Sequence, residues 1–215
     1  MNLPRTLASI VLGSSLFLAA AAARAADTYK IDPEHSTVIY RISHFNIGNA
    51  YGRFNRPTGA VSLDAADPTK TTFQFSVATA NIDTANAKRD QDLKGPDYFD
   101  AKQFPTVSFK STSVKQGTAS ANAQPGQGAG SAPAASGAQP VSYEVTGDLT
   151  LHGVTKTITF PITKTGEGDT RMMGYRTGWE AQVDLKRSDY GMKVMPGIVG
   201  DDVHLIISFE AVKQR

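Results

Sequence analysis

Residues 89–114 have the sequence RDQDLKGPDYFDAKQFPTVSFKSTSV, which places a short polar helix, an aromatic turn and a strand in direct succession. Residues 89–94 carry charges at most positions, and a helix there is limited to a turn or two because Pro96 cannot continue it. Three aromatic residues follow within a short span: Tyr98, Phe99 and Phe104. They are too few and too interrupted by charge to form a core. The stretch is therefore predicted to be a lid over an apolar surface made elsewhere in the chain.

The end of this stretch shows the two-residue alternation of a half-buried strand, with Val107 and Phe109 on the inner face. The same period predicts strands over residues 29–32, 36–44, 51–64, 71–81, 106–115, 141–151, 154–163, 179–185 and 203–212. A polar loop is predicted over residues 164–177 and an apolar loop over 190–202. About eight strands with short turns and one short helix predict an all-β antiparallel barrel rather than a sandwich. Such a barrel either fills with its own side chains or holds one small ligand, and the pattern leaves both open.

The first residues are predicted to be an export signal and not part of the fold. Arg5 precedes an apolar run over residues 7–18, and the sequence ARA at residues 23–25 offers the small residues that signal peptidase requires. We therefore predict a signal peptide over residues 1–25 and a periplasmic protein. A membrane anchor is the less favoured alternative, because the apolar run is shorter than the ~20 residues that span a bilayer.

Charge and composition narrow the classes of partner. Removing Arg5 and Arg24 leaves 20 of the 22 basic residues against 20 acidic ones, so the net charge favours neither nucleic acid nor anionic lipid headgroups as the main partner. The chain has no cysteine, which excludes disulfides and thiolate chemistry. Residues 26–215 suit one domain. Within them, residues 116–140 are almost all Ala, Gly, Gln, Ser and Pro, and predict a disordered low-complexity insertion at a hairpin tip, with a linker between domains as the alternative.

Five blocks of sequence give the chain a resemblance to a known family. They are IDPEHSTVIYRISHF from residue 31, KRDQDLKGPDYFDAKQFPTVSFKS from residue 88, GDLTLHGVTKTITFPI from residue 147, RTGWEAQVDLKRSDYGM from residue 176 and GDDVHLIISFEA from residue 200. In this order they resemble the YceI-like family of secreted proteins. The resemblance implies a lipocalin-like antiparallel barrel whose elongated apolar tunnel binds a polyisoprenoid or a similar long-chain amphiphile, without catalysis. The insertion at 116–140 departs from the family's short hairpin turn.

Inward-facing apolar residues of the predicted strands are the candidate lining of that tunnel. They are Tyr40, Ile42, Phe73, Phe75, Val77, Val107, Phe109, Leu149, Leu151, Phe160, Trp179, Val183, Ile207 and Phe209. A plain packed core is the alternative for each residue, and the family resemblance is what favours a ligand for the set. A long chain bound there would gain about 25 cal/mol for each Å² removed from water, so few polar contacts would be needed.

The candidate mouth of the tunnel combines the lid with a second apolar loop over residues 192–199. Its residues are Arg89, Leu93, Tyr98, Phe99, Met192 and Met195. Flexible methionine side chains suit irregular apolar surfaces, and simple plugging of one barrel end is the alternative. Three charged residues of the lid helix are candidates for binding a headgroup, although such a run of charge is more often only the solvated face of a helix: Arg89, Asp90 and Asp92.

Catalytic and metal sites find little support in the sequence. No nucleophile motif is present, and the histidines have none of the spacings typical of a zinc site. The chain has four of them: His35, His44, His152 and His204. We therefore predict no catalytic residue, no metal and no cofactor other than a bound lipid.

The leading hypothesis is a soluble periplasmic carrier or sequestering protein for a long isoprenoid lipid, such as an isoprenoid quinone or a polyprenyl carrier. One alternative is an enzyme that acts on a lipid in the tunnel with His44 or His35 as its acid-base group. Another is an interaction partner of a membrane redox protein, with its contact near Met192. A transient contact with a membrane or a membrane protein, and a homodimer, are left open.

Overall fold

The computed structural model describes residues 26–117 and 141–215. Its strands are β1 (Asp27–Ile31), β2 (Thr37–His44), β3 (Gly48–Asn55), β4 (Thr58–Leu63), β5 (Thr72–Ala78), β6 (Ile82–Asp83), β7 (Thr106–Gln116), β8 (Val141–Leu151), β9 (Val154–Asp169), β10 (Tyr175–Lys186) and β11 (Val199–Lys213). The described part also holds the α-helix α1 (Ala87–Leu93) and 3-10 helices at Pro68–Lys70, Thr79–Asn81 and Arg187–Tyr190. None of its helices is long and apolar enough to cross a bilayer. The predicted signal peptide and all but the first two residues of the predicted insertion lie outside the described residues.

The strands close into a barrel. β1, β4, β5, β7, β8, β9, β10 and β11 pair in that order, each antiparallel to the next, and β11 returns to pair with β1. β2 pairs with the remaining length of β11, and β3 pairs with β2, so β1–β2 and β4–β3 each follow one long path in the wall. The short β6 pairs with β3. The predicted fold class, an eight-stranded antiparallel barrel with one short helix, is confirmed.

The connection between β8 and β9 shows how local sequence sets the register. His152 and Gly153 both have positive φ, at 50° and 73°, as a two-residue hairpin turn of matching twist requires. A Cβ on Gly153 would also overlap the ring of Phe104, so glycine is needed there for two reasons. The turn pairs Leu151 directly with Val154 and keeps the apolar rows of both strands on the inner face. The predicted tight connection is confirmed.

Two predicted loops are shorter than the sequence indicated. β9 continues to Asp169 and β10 begins at Tyr175, so the prediction of a polar loop over 164–177 is wrong for most of its length. Apart from Tyr175, these positions lack large apolar side chains, and the backbone pairing between β9 and β10 is what keeps them in the sheet. β11 likewise begins at Val199, which reduces the second predicted loop to residues 191–198.

The two ends of the barrel are built differently. At one end, called here the closed end, inward side chains pack against one another in the main core, which includes Tyr29, Val61, Val145, Trp179 and Ala211. The opposite end, called the mouth end, carries α1, the turn after it and the loop 191–198. The end of β7 at Gln116 pairs with Tyr143 near the start of β8 at the closed end, far along both strands from the mouth.

An ionic network reinforces the seam where the barrel closes. Nη1 of Arg176 donates to Oδ2 of Asp32 at 2.7 Å and to Oε2 of Glu210 at 2.9 Å, and Nδ1 of His35 lies 2.8 Å from Oδ2 of Asp32. Burial alone would raise the pKa of Asp32, but the hydrogen bonds from Arg176 and His35 outweigh it, and the pKa lies well below its usual value. The network links the turn after β1 with β10 and β11, and so holds the seam together.

Candidate functional site

The mouth end is covered by a lid that consists of α1 and the turn after it, residues 87–104. Asn86 starts the helix, since its side-chain oxygen accepts a hydrogen bond from the Arg89 amide at 3.0 Å, and the helix ends before Pro96 as predicted. The Arg89 guanidinium donates two hydrogen bonds of 2.8 Å to Thr84, next to β6. These bonds fix the helix to the barrel wall.

The three aromatic residues of the lid take two different positions. The Phe99 ring meets the Phe54 ring of β3 edge-on, with centroids 5.4 Å apart, and Tyr98 lies beside it over the barrel interior. Phe104 turns away and packs against the His152 ring at 4.8 Å. The lid thus covers the interior with two aromatics and is anchored on the β8–β9 turn by the third.

Beneath the lid lies the larger of two adjoining cavities, called here the outer chamber, with a volume of about 350 Å³. Predicted lining residues on its wall are Tyr40, Ile42, Val77, Val107, Leu149 and Leu151. All six residues of the predicted mouth also line it: Arg89, Leu93, Tyr98, Phe99, Met192 and Met195. The chamber reaches the surface at the exposed residues His44, Tyr51 and Met195. The lid and the loop 191–198 therefore surround one opening.

Deeper in the barrel is the inner chamber, with a volume of about 100 Å³. Predicted lining residues on its wall are Phe73, Phe75, Val77, Val107, Phe109, Leu149, Phe160, Val183, Ile207 and Phe209. The rings of Phe109 and Phe160 pack with centroids 5.2 Å apart, and those of Phe75 and Phe209 with centroids 5.6 Å apart. The chambers adjoin, because they share three of the predicted wall residues: Val77, Val107 and Leu149.

Trp179 is the one predicted lining residue that the structure places on neither chamber. Its side chain is 1 % exposed, packs edge-on against Phe73 at 5.1 Å and stacks on Phe209 at 6.3 Å. Phe73 and Phe209 also line the inner chamber, so Trp179 lies directly behind its floor. Alternation placed Trp179 on the inner face but did not give its depth. The cavity in the described residues is therefore a blind pocket that ends at Trp179, and not a tunnel through the barrel.

Some wall residues were not among the predicted ones. Val203 and Leu205 belong to the same inward row of β11 as Ile207, so the alternation carried enough signal to find them. Arg187 and Tyr190 lie in a short 3-10 helix of polar sequence, and no periodicity indicates that they point inward.

A buried arginine holds the loop 191–198 in place at the mouth. The Arg187 guanidinium donates to the carbonyl oxygens of Met192 at 3.1 Å, Val199 at 3.0 Å and Gly200 at 2.8 Å. These acceptors lie at the two ends of the loop. One side chain therefore fixes both ends of the loop that forms the rim opposite the lid.

Two tyrosine hydroxyls contribute polar groups to an otherwise mainly apolar wall. The Tyr40 ring lies across Gly52 of the paired strand, where any Cβ would overlap its hydroxyl, and burial raises the pKa of Tyr40 to about 12. The Tyr190 hydroxyl is buried without a hydrogen-bond partner among the described residues, and burial raises its pKa too. Both hydroxyls are therefore protonated at neutral pH. An unpaired buried hydroxyl costs about 1–3 kcal/mol, which a bound acceptor oxygen would offset.

The histidines lie in separate places. His35 is at the seam, His204 pairs with Asp184 on the outer wall at 2.7 Å, and His152 bonds a backbone carbonyl at 2.9 Å. His44 alone lies on the rim of the outer chamber. Among the described residues no group of three or more His, Asp or Glu side chains could hold a metal ion.

Comparison of the sequence with known proteins gives matches over nearly the whole chain. Residues 29–211 match the YceI-like domain family. UPF0312 proteins of Pseudomonas aeruginosa and of Azotobacter vinelandii are each 36% identical to the chain, over 99% of its length and 100% of theirs. A UPF0312 protein of Pseudomonas putida is 37% identical, over 99% of the chain and 100% of that protein.

Solved structures share the same architecture. Burkholderia cenocepacia BcnA superposes with a TM-score of 0.66 at 22% identity, covering 85% of this chain and 99% of that one. A polyisoprenoid binding domain from Saccharophagus degradans superposes with a TM-score of 0.62 at 15% identity, covering 89% of this chain and 100% of that one. At these identities the likeness shows the barrel fold.

Proposed function

The chain belongs to the YceI-like domain family, and from that premise we propose that it is a periplasmic protein that carries or sequesters a polyisoprenoid or a similar long-chain amphiphile, such as an isoprenoid quinone. The apolar tail occupies the two chambers and the polar group stays beneath the lid. The protein performs no reaction on the lipid. The residues that line the two chambers bind the tail.

The observation that carries this proposal is the hollow, apolar half of a closed barrel. Five phenylalanine rings and aliphatic side chains surround the inner chamber, which adjoins the outer chamber and the opening at the lid. A water-filled space with such a wall is unfavourable, and each methylene group of a lipid tail that enters it contributes about 0.8 kcal/mol. Affinity therefore comes from tail burial, which selects weakly among tails of similar shape.

The polar groups of the site support one orientation of the ligand. Tyr40, Tyr190 and Arg89 line the outer chamber, whereas the predicted lining of the inner chamber carries no charged side chain. A headgroup with an acceptor oxygen would find phenolic and charged donors in the outer chamber. The tail would then point towards Trp179, and its length would be limited by the floor of the pocket.

The chain's relatives support the class of ligand. The domain from Saccharophagus degradans that shares this barrel is described as polyisoprenoid binding. Export to the periplasm is supported by the sequence of residues 1–25. The mass of the protein recovered from a periplasmic fraction tests it, because cleavage after Ala25 leaves a chain that begins at Ala26.

The test of ligand binding is to purify the processed protein without detergent, extract it with organic solvent and identify what is released by mass spectrometry. We expect a near-stoichiometric long-chain lipid. In Val107→Phe, a ring added to the wall that both chambers share should reduce the recovered lipid about tenfold or more, because it separates the two spaces.

The matched control is Lys110→Ala on the outer face of the same strand, which should release as much lipid as the unchanged protein. Circular dichroism and thermal unfolding establish that both variants are folded. A folded, unchanged protein that releases no lipid and takes up none from a lipid extract would contradict the proposal. So would a Val107→Phe variant that carries the same amount of the same lipid.

A further inference from the structure

Large apolar side chains are exposed around the opening of the outer chamber. Ile47 is 91 % exposed and Phe45 52 %, both on the turn between β2 and β3, and Tyr51 and Met195 are also exposed. Tyr51 and Met195 line the outer chamber as well. The amide of Phe45 donates to the carbonyl of Ile198 at 2.7 Å, which joins the turn to the loop that carries Met195. These four residues, the rim patch, form an apolar surface continuous with the cavity.

The turn that carries the patch has an unusual residue at a constrained position. Phe45 has φ of 54° and Asn46 has φ of 53°, in the left-handed region that asparagine and glycine tolerate and a bulky aromatic residue rarely adopts. The side chain is not buried in return, since its ring meets the His44 ring edge-on, with centroids 4.5 Å apart, and stays 52 % exposed. Burial in the core therefore does not explain a phenylalanine at this position, and such outliers cluster at functional sites.

Two basic side chains flank the patch. Arg41 pairs across the sheet with Tyr51, and Lys193 lies two residues from Met195. Both are exposed. Nearby on the wall, Lys186 of β10 is paired with Asp202 of β11 at 2.7 Å. The rim thus offers protruding apolar side chains with cations beside them, the two features that together hold a protein at an anionic lipid surface.

We infer that the mouth end docks on the surface of a lipid bilayer, with Phe45 and Ile47 inserted among the headgroups and Arg41 and Lys193 against anionic ones. A few protruding side chains enter a fluid interface without a complementary pocket. A stable protein complex typically uses about 20–30 residues on each side, whereas the rim patch has four. Docking in this direction would place the outer chamber against the bilayer, where its proposed ligand dissolves. The inference goes beyond lipid binding, since docking requires no ligand in the chambers.

The test is co-sedimentation with vesicles of phosphatidylcholine, with and without phosphatidylglycerol, using the full processed protein. We expect binding to the anionic vesicles that weakens with added salt. The double variant Phe45→Ser/Ile47→Ser should bind about tenfold or more weakly, and Arg41→Ala/Lys193→Ala should lose the preference for phosphatidylglycerol.

The closed end supplies a matched control, because Met172 is 94 % exposed and Met173 is exposed beside it on the turn between β9 and β10. Met172→Ser/Met173→Ser removes exposed apolar surface far from the mouth and should leave vesicle binding unchanged. If Phe45→Ser/Ile47→Ser and Met172→Ser/Met173→Ser lose vesicle binding equally, the inference is overturned. It is also overturned if the unchanged protein does not bind vesicles.

Two further measurements separate the remaining outcomes. If Phe45→Ser/Ile47→Ser changes the sedimentation of the protein alone and not its vesicle binding, the patch covers a second copy of the chain and the inference is wrong. Lipid recovered by extraction from the unchanged protein reports on the chambers separately. If the unchanged protein carries lipid but does not bind vesicles, the docking surface is overturned and the proposed function stands.

Discussion

The closed end and the mouth end of the barrel share the same strands and the same inward alternation, but one end is solid and the other is hollow. At the closed end Ala211 is fully buried and Trp179 nearly so. Towards the mouth, Phe109 and Phe160 also point inward but retain exposed surface, because they face a cavity. The same alternation of inward-facing side chains thus produces a packed core in one half of the barrel and a cavity in the other.

The difference lies in the side chains that meet at each level. Rings from four strands fill the cross-section at the closed end: Tyr29, Phe73, Tyr143 and Trp179. Near the mouth, inward positions of β3 are small at Ala50 and Gly52, and the lid spans the opening without filling it. Alternation decides which side chains face the axis, and their summed volume decides whether space remains there.

The largest expected loss of stability comes from removing a large side chain from the packed core at the closed end. Trp179→Ala should lower the free energy of unfolding by about 3–5 kcal/mol, because it removes a fully packed ring and leaves a cavity between rigid neighbours. Urea unfolding followed by circular dichroism measures the change. Phe109→Ala is the comparison in the hollow half and should cost about half as much, since that ring already faces a cavity. Equal losses would show that the two halves do not differ in packing.

The seam at the closed end gives the next largest effect, and it depends on pH. The pKa of Asp32 is lowered in the folded protein, so its contribution to stability is fully present above its unfolded pKa of about 3.9 and is lost as pH falls below that value. Asp32→Asn should lower the free energy of unfolding by about 2–3 kcal/mol at pH 7. The difference between the two proteins should shrink as pH falls from about 3.9 and should be clearly smaller at pH 2 than at pH 7, vanishing only below the lowered pKa of the folded state. A difference that stays constant between these pH values would contradict the assigned cause.

The smallest expected change in stability comes from enlarging two alanines, one at each end of the barrel. Ala211 is fully buried in the closed end, whereas Ala181 lines the inner chamber. Ala211→Leu should cost about 1–3 kcal/mol because it overfills a packed core, and Ala181→Leu less than about 1 kcal/mol because its new atoms enter empty space. Lipid extraction should show the reverse order, with less lipid in Ala181→Leu than in Ala211→Leu. Thermal unfolding of both variants, beside extraction, decides whether the two ends differ as described.

The sequence predicted the features that depend on local pattern. The strand of β7, the short helix that ends before Pro96 and the hairpin turn at His152 are where alternation, proline and turn geometry indicated them. Thirteen of the fourteen lining residues predicted from alternation lie on the chamber walls. Their contact with a ligand stays a prediction, as do the signal peptide and the insertion at 116–140.

The features that the sequence did not reveal depend on the third dimension. The polar ends of β9 and β10 pair through their backbones, which no hydrophobic pattern records. The blind end of the pocket depends on how rings from separate strands meet at Trp179. Arg187 points inward because three carbonyl groups of the folded loop bind it, and a basic residue in a polar turn gives no sign of that.

The path of the chain through the lid decides which segment of the protein can be replaced without changing the barrel. Ala78, at the end of β5, pairs directly with Thr106, at the start of β7, so the two strands form a hairpin and residues 79–105 leave and re-enter the barrel at neighbouring points. This segment, which contains β6 and the lid, is thus one unit. Replacing it with another segment changes what closes the pocket and leaves the pairing of β5 with β7 untouched, much as an antibody varies its loops on a constant framework.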